Sequence, residues 1–433
     1  MKNFAYPALL VCGGLLGFLC FFIRQDEFVH IAFLYGLSFI CYLYGGHRDW
    51  PDGSLMTQYN LLLKLILIFA FPRASDDIYR FFWDGQCWLQ GISAYQYKPA
   101  ELVQLELQEF EKIYRKLNSK EYFSVYPPWL QFIFTACAFI SFKSVFIFSI
   151  CWKSILLIAD QLTIKYLKRL NVQTPKAVYW YAWNPLVLYE VFGNGHPEGL
   201  MICFLTMTFY YLQSNFIKKS AISLSLATGI KLLPAFLFPF FISYLGIKKS
   251  LQYLVISGFL ILLFLVPVWP YLSQFLSSLR LYFKTFEFNG SIYELWKAVD
   301  YLRFGYNNIE HIGQWMAVCF IAVIIFLVVV QKKYHFQDLI KSCFLAWLAY
   351  LFLSTTVHPW YILPVLVLGL FSGYFFPVVW SGMVILSYSG YDDNLSLGSK
   401  YVLIALEYGV LLIFMVWELA QKYHQSRPTY PAS

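Results

Sequence analysis

Residues 61–85 read LLLKLILIFAFPRASDDIYRFFWDG. An apolar run that begins near Leu55 stops at Phe71. Within five residues the chain reaches adjacent carboxylates, then an arginine and a third carboxylate. The run is continuous rather than alternating, the pattern of a membrane helix and not of a β-barrel strand. The polar stretch after it is the start of the largest hydrophilic insertion in the chain. Residues 73–126 hold 15 of the 56 charged residues in about an eighth of the length.

Outward from this point the apolar runs repeat. Two precede it, about Phe4–Ile23 and Phe28–Tyr44, and more follow to the C-terminus. The first is too long for a signal-peptide core and lacks a small-residue cleavage motif, so it reads as a retained helix. The 433 residues are 59% hydrophobic and 13% charged, against about 25% charged in soluble domains. At about 20 residues per crossing, the composition supports an all-α polytopic membrane protein with about 12–14 transmembrane helices. It excludes a soluble or single-pass protein. No internal repeat is evident, which weakens a transporter reading built on inverted repeats.

The connections are of two kinds. Basic ones carry Lys165/Lys168/Arg169, Lys218/Lys219, Lys248/Lys249, Lys332/Lys333 and the tail with Lys422 and Arg427. Polar ones are the 73–126 insertion, Gly193–Glu198, the 269–312 stretch, Val357–Tyr361 and Tyr391–Asn394. The two kinds alternate. The positive-inside rule places the basic set and both termini in the cytoplasm and the polar set outside, for a protein of the inner (plasma) membrane. The net charge of +8 is thus topological and does not point to nucleic acid. Pro127–Phe142 is too short to fit this alternation as a crossing. It is expected to be re-entrant or interfacial, with Val145–Lys165 as the crossing. Lys219–Lys248 must then form a short hairpin with Lys231 near its outer tip. Leu102, Leu105, Phe110, Ile113 and Leu117 form a helical stripe between Pro99 and Asn118, either lying on the membrane surface or packed on the insertion's own core. The chain reads as one integral membrane domain, 1–433, with 73–126 and 269–312 as extracytoplasmic loops. Nine cysteines show no CxxC spacing, and only Cys87 lies in a polar segment. Neither a disulfide framework nor a cysteine metal site is expected.

Five constellations on the polar side can carry chemistry. In Ser75–Gly85, Ser75 is a plausible N-cap, and a helix starting there puts Asp77, Arg80 and Asp84 near one face. Adjacent carboxylates beside hydrocarbon are costly unless solvated, paired or functional. Asp76 or Asp77 can therefore deprotonate an acceptor hydroxyl or hold a divalent cation against a phosphate, set against a capping pair bridged to Arg80. Asn194, His196 and Glu198 sit in a glycine-containing turn, a sugar or metal site or a simple polar turn. Lys231 either snorkels to the interface or pairs with an anion such as a lipid phosphate. His358 is a candidate for phosphate binding or proton transfer. Trp360 and Tyr361 either stack on a sugar or anchor at the interface, the anchor being favoured for Trp360. Tyr126, before two prolines, is a candidate substrate contact. Glu287–Tyr293 offers hydrogen-bonding groups without a spacing argument, and Tyr391–Asn394 reads as a turn. No phosphate-loop or dinucleotide signature occurs.

Ser75–Gly85, the Tyr95 segment, Tyr126-Pro-Pro128, Trp183–Glu190 with Gly193–His196, Lys231–Pro234, Phe288–Tyr293 and His358–Tyr361 follow in an order that resembles GT-C fold glycosyltransferases. More narrowly the set resembles bacterial polyprenyl-phosphate-mannose-dependent mannosyltransferases. The resemblance implies a GT-C module with a large first outer loop carrying juxtamembrane helices. It implies a polyprenyl-phosphate hexose donor, mannose first, and an extracytoplasmic lipid or glycan acceptor. Asp76 or Asp77 would be the base of an inverting displacement, and Lys231, with Arg80 or His358, would neutralise the leaving phosphate. Asp84, Tyr126, Asn194, Glu198 and Tyr361 would complete the substrate site. Two helices before about residue 50 are extra relative to the simplest members, and Pro197 follows the histidine where members often carry an acidic or amide residue. Metal sites of this fold mostly use acid-x-acid spacing, whereas Asp76 and Asp77 are adjacent. No metal ligand is assigned, and a divalent cation (Mg or Mn) stays open. The rivals are a flippase for lipid-linked sugar, for which Asp160 is the main ionisable residue off the polar side, and a non-catalytic assembly subunit.

Overall fold

The computed structural model describes residues 5–48, 53–104, 108–170, 174 and 176–425. The first three helices are α1 (Ala5–Phe22), α2 (Phe28–Gly46) and α3 (Gly53–Leu67). The insertion carries α4 (Asp77–Leu89), α5 (Pro99–Val103) and α6 (Gln108–Tyr114), and α7 (Pro128–Ile140) and α8 (Val145–Leu167) follow it. Next come α9 (Ala177–Ala182), a π-helical segment (Val187–Gly193), α10 (Glu198–Gln213), α11 (Ile217–Ile230), α12 (Phe238–Leu245) and α13 (Ile247–Leu265). The second polar stretch holds α14 (Leu272–Lys284) and α15 (Ser291–Phe304), and α16 (Ile309–Val330), α17 (Phe336–Phe352), α18 (Leu363–Ser372), α19 (Phe376–Met383) and α20 (Leu397–Gln425) complete the chain. The described residues contain no strand, only an isolated bridge between Phe288 and Thr356.

The protein is an all-α polytopic membrane protein. Among the described residues five helices are long and apolar enough to cross a bilayer: α2, α8, α13, α16 and α20. The others are shorter or broken. Pro185, between α9 and the π segment, and Pro234, between α11 and α12, lack the amide hydrogen that an uninterrupted helix needs. Five further apolar helices are shorter, Tyr6–Phe22, Leu55–Leu67, Pro128–Ile140, Leu233–Leu245 and Pro359–Ser372.

Two opposite faces follow from contacts between distant segments. On one, Lys176 Nζ bonds the carbonyl of Arg48 at 2.9 Å, the Tyr334 amide bonds the Tyr244 carbonyl at 3.3 Å, and Glu418 accepts from the amides of Phe375 and Phe376 at 2.8 Å. This face gathers the basic connections. The other face carries the 73–126 insertion and the 269–312 stretch. Between α11 and α12 the chain passes through an extended Lys231 and a short 3₁₀ turn, Leu233–Leu237, and both helices pack on α13.

Helix α7, 13 residues long, is one of the apolar helices shorter than a full crossing. Lys153, in the third turn of α8, bonds the Leu67 and Ala70 carbonyls at the end of α3. At 1.5 Å per residue, α8 therefore begins about 12 Å beyond that level. α7 runs beside this projecting part and packs on α4, where Phe81 stacks on Phe134 at 4.6 Å. Gly85 permits the approach: a Cβ there would lie 2.6 Å from the Phe134 carbonyl oxygen.

The 102–117 stripe is corrected in two respects. It forms two short helices rather than one. Leu102 and Leu117 bury with Trp83, Cys87 and Ala94 in a core belonging to the insertion, so the surface-lying alternative does not hold. Leu105 lies outside the described residues. All nine cysteines are free.

Asp160 is not the sole ionisable group inside the bundle. It pairs with Lys64 at 2.7 Å, both side chains almost wholly buried. Lys153, Glu190, Glu407 and Glu418 are buried as well.

Candidate active site

The polar segment after α3 is shaped by its own side chains. Ser75 Oγ accepts from the Asp77 amide at 3.3 Å, and Asp76, not Ser75, occupies the N-cap position of α4. Asp77 is the first helical residue, its side chain 24% exposed. Asn118 Nδ2, reaching across from the insertion, donates to Asp77 Oδ1 at 3.3 Å. Burial pushes the Asp77 carboxyl up to about 6; Asn118 and Lys231 oppose the rise, Glu198 and Asp76 add to it. Asp76 is also raised by burial, against the pull of Lys116 and Arg24.

Arg80 and Asp84 turn away from Asp77. Arg80 Nε donates to Asp84 Oδ1 at 2.8 Å, and its Nη1 donates to the Ser119 and Tyr122 carbonyls at 3.0 Å. Asp84 Oδ2 accepts from Ser124 Oγ at 2.5 Å and Gln131 Nε2 at 2.7 Å. The pair fastens both ends of the insertion to α4 and α7. Tyr126 lies next to it, its ring against Phe81 and Phe134 and its carbonyl accepting from Tyr95 Oη at 2.5 Å.

The second segment reaches the same place from the bundle. Asn184 is structural: it accepts from the Leu186 amide at 2.9 Å and donates to Ser381 Oγ at 2.9 Å. The following π segment ends where Lys153 bonds the Phe192 carbonyl at 2.8 Å and Trp152 Nε1 bonds the Gly195 carbonyl at 2.6 Å. Gly195, at φ +78°, adopts the left-handed conformation that glycine takes without strain. That turn places His196 with its amide on the Glu190 carbonyl at 2.9 Å. The imidazole Nε2 lies 3.4 Å from Glu190 Oε2 and Nδ1 lies 3.9 Å from Asp77 Oδ2. Glu190 in turn accepts from Tyr388 Oη at 3.0 Å and Asn194 Nδ2 at 3.1 Å. Burial holds His196 well below the usual imidazole range, and Lys231 and His358 deepen the effect.

Lys231 closes the front of the site. Its backbone is extended at the end of α11, and its ammonium pairs with Glu198 and sits 3.8 Å from the Tyr361 ring centre. Behind it the rings form a stack. His196 lies on Trp360 at 3.6 Å, Trp360 on His358 at 4.5 Å, and His358 on Phe288 at 4.6 Å. His358 Nδ1 meets Tyr391 Oη at 3.1 Å, and burial, with Lys231, pushes its imidazole down to about 3. Trp360 is thus corrected on both expectations. It is buried, with a histidine on each face, and is neither a sugar platform nor an interfacial anchor.

The fold therefore brings together Asp77, His196, Glu198, Lys231, His358 and Tyr361, with Asn194 behind them and Asp76 at the rim. Arg80, Asp84 and Tyr126 are engaged elsewhere. Glu190, Phe288 and Tyr391 lie in stretches that the sequence reading quoted without giving them a role, and Tyr388 and the Trp152-Lys153 pair escaped it. Glu190 and Lys153 had a usable signal, because an ionisable residue within an apolar run is costly to keep. The donor set does not fit a divalent cation. Among the described residues no group of three or more His, Cys, Asp or Glu is arranged to hold a metal. Glu198 is taken by Lys231, and Glu190 by Tyr388 and Asn194.

A family model described as alpha-(1->6)-mannopyranosyltransferase, N-terminal domain, matches residues 28–246. No curated protein and no solved structure matches the chain.

Proposed function

The chain belongs to this alpha-(1->6)-mannopyranosyltransferase family, and on that premise we propose that it transfers mannose from a polyprenyl-phosphate donor to the 6-hydroxyl of a mannosylated lipid or glycan. That it is a membrane glycosyltransferase of the mannosyl type follows from the family. The donor, the acceptor and the residue roles are our reading.

The carrying observation is the convergence, on the face of the insertion, of a largely buried carboxylate and a lysine. Asp77 is the better candidate base of the two aspartates. It faces His196, and its carboxyl lies near neutrality, where a general base works best. In the transfer, the acceptor oxygen attacks C1 of the mannosyl group and its proton passes to Asp77. The C1–O bond to the lipid phosphate breaks, and the phosphate leaves with the electron pair. One displacement inverts C1, so an α-linked product requires a β-linked donor. Lys231 is the group we assign to the leaving phosphate, exchanging its Glu198 partner for the substrate anion. Fixed positive charge at a developing anion is usually the largest single contribution to such catalysis. Tyr361 and His358 hold Lys231 and the ring stack in place. Arg80, Asp84 and Tyr126 are assigned to shaping the insertion that covers the site. No step is routed through a metal.

A nucleotide sugar is not the donor in this reading, because the site lies on the face opposite the basic connections. By charge that face is extracytoplasmic, with both termini cytoplasmic and the chain in the inner membrane. The test uses purified protein in liposomes with radiolabelled polyprenyl-phosphate hexoses, with and without EDTA, and a membrane-lipid acceptor extract. Turnover of the mannosyl donor that survives EDTA and is lost in Asp77→Asn supports the proposal. Full activity in both Asp77→Asn and Asp76→Asn refutes the assigned base. No turnover of any donor by folded protein refutes the reaction and leaves a lipid-translocation assay as the next measurement.

A further inference from the structure

His196 is wholly buried, yet neither ring nitrogen has a hydrogen-bond partner among the described residues. A histidine kept in a core for structure normally donates its one N–H to a fixed acceptor. Here the ring is instead suspended between two carboxylates, Glu190 at 3.4 Å from Nε2 and Asp77 at 3.9 Å from Nδ1. Its plane is set by Trp360, its backbone by the Glu190 carbonyl and by Trp152 on Gly195. Glu190 is aimed from the far side by Tyr388 and Asn194. The line Asp77–His196–Glu190 thus has one end at the mouth of the site and the other sealed in the bundle.

We infer that His196 and Glu190 relay the proton away from Asp77 as the acceptor hydroxyl is deprotonated. The inference rests on the assignment of Asp77 as base. The acceptor O–H proton goes to an Asp77 carboxyl oxygen and on to the lone pair of His196 Nδ1. The Nε2 proton moves to Glu190 Oε2. The imidazole ends neutral in its other tautomer, Asp77 ends ionised, and Glu190 ends protonated; burial pushes the Glu190 carboxyl up to about 8, so the relay runs through the fraction of protein, growing with pH, in which Glu190 starts ionised. Reversal after product release returns the proton through Asp77 to water.

The surrounding charges favour passage over storage. Lys231 and His358 both oppose a positive charge on His196. A proton arriving at Nδ1 must therefore be matched by one leaving Nε2. The other titratable groups nearby face the carboxylates: Glu198 acts on both Asp77 and Glu190, Asp76 acts on Asp77, Tyr391 faces both, and Tyr388, Tyr189, Tyr35 and Cys20 face Glu190. The Asp77 gap must close by about 1 Å to reach hydrogen-bond length. Catalytic hydrogen bonds are often long without substrate and tighten in the complex.

The experiment is single-turnover mannosyl transfer by the full chain in liposomes, in mixtures of H2O and D2O. Two protons in flight predict a bowed dependence of rate on deuterium fraction in the unaltered protein. His196→Gln keeps shape and hydrogen-bonding capacity but cannot pass a proton. It is expected to lower the rate about 100-fold, to leave the donor KM unchanged and to give a straight dependence. Glu190→Gln, a same-shape change, is expected to act likewise. A straight dependence in the unaltered protein, or a His196→Gln rate within threefold of it, overturns the relay while leaving Asp77 as base. Absence of turnover in the unaltered protein refutes the underlying reaction, and the relay with it.

Discussion

Asp77→Asn is expected to stabilise the protein while removing its activity. The Asp77 carboxyl is raised from 3.8 to about 6, chiefly by burial. At about 1.4 kcal/mol per pH unit, this corresponds to a cost of up to about 3 kcal/mol for keeping the group ionised in the folded state. The sign follows from linkage. The folded state holds the proton more tightly than the unfolded chain, so the contribution to stability is present below pH 3.8 and is lost as pH rises through 6. At pH 7 the native protein bears the full cost, and the neutral asparagine does not. The substituted amide can still accept from Asn118. Thermal unfolding in detergent, followed by tryptophan fluorescence, should place the variant above the native protein at pH 7 and close to it at pH 4. Transfer activity should fall by about 10² to 10⁴, the usual worth of a general base. A variant that is less stable than native at pH 7, or equally far apart at both pH values, would refute the view of Asp77 as a carboxylate held ionised against its surroundings. Retained activity would refute its role as base.

Other outcomes follow from the same geometry. The native pH–rate profile should fall about tenfold per unit below pH 6, measured as kcat/KM. Glu198→Gln removes a charge that raises Asp77 and frees Lys231, which lowers it, so its acid limb should move to lower pH; a move upward would contradict the site electrostatics. Lys64→Met leaves Asp160 unpaired in the bundle and should cost about 3–5 kcal/mol, most of it recovered when Asp160→Leu is added; equal losses in single and double variants would show that the 2.7 Å pair is not coupled. Gly85→Ala should cost about 1–3 kcal/mol by forcing α4 off α7, read as a lowered unfolding midpoint.

The electrostatic arrangement explains why a marginally exposed carboxylate and a paired lysine can share one site. Lys231 is held by Glu198 and the Tyr361 face rather than by Asp77. The base is thus left free to take a proton, and the cation keeps a partner that a substrate phosphate can replace. Behind them, Lys153 ties the end of α3 to the end of the π segment. The chain entering Asp77 and the chain entering His196 are therefore fixed to the same turn of α8.

Much of this was legible in the chain alone, and for definite reasons. Continuous apolar runs and a charge share near half that of soluble domains specify an all-helical membrane protein, because only helices satisfy their backbone within a segment in lipid. The alternation of basic and polar connections placed Asp77, His196, Lys231 and His358 on one face, since loop charge obeys a rule that does not depend on packing. What the tertiary structure alone decided is which of those side chains meet. Arg80 and Asp84 share the helical spacing of Asp77, yet they turn inward to Ser119, Ser124 and Gln131, partners 39 to 47 residues away that no local pattern announces. Trp360 resembled an interfacial anchor until two histidines, one of them 164 residues distant, covered its faces. Glu190 acquires its place beside His196 only through a π-helical turn and a tyrosine 198 residues further on. Spacing along a helix fixes a direction, and hydropathy fixes a depth, but contact between segments is set by packing across the whole bundle.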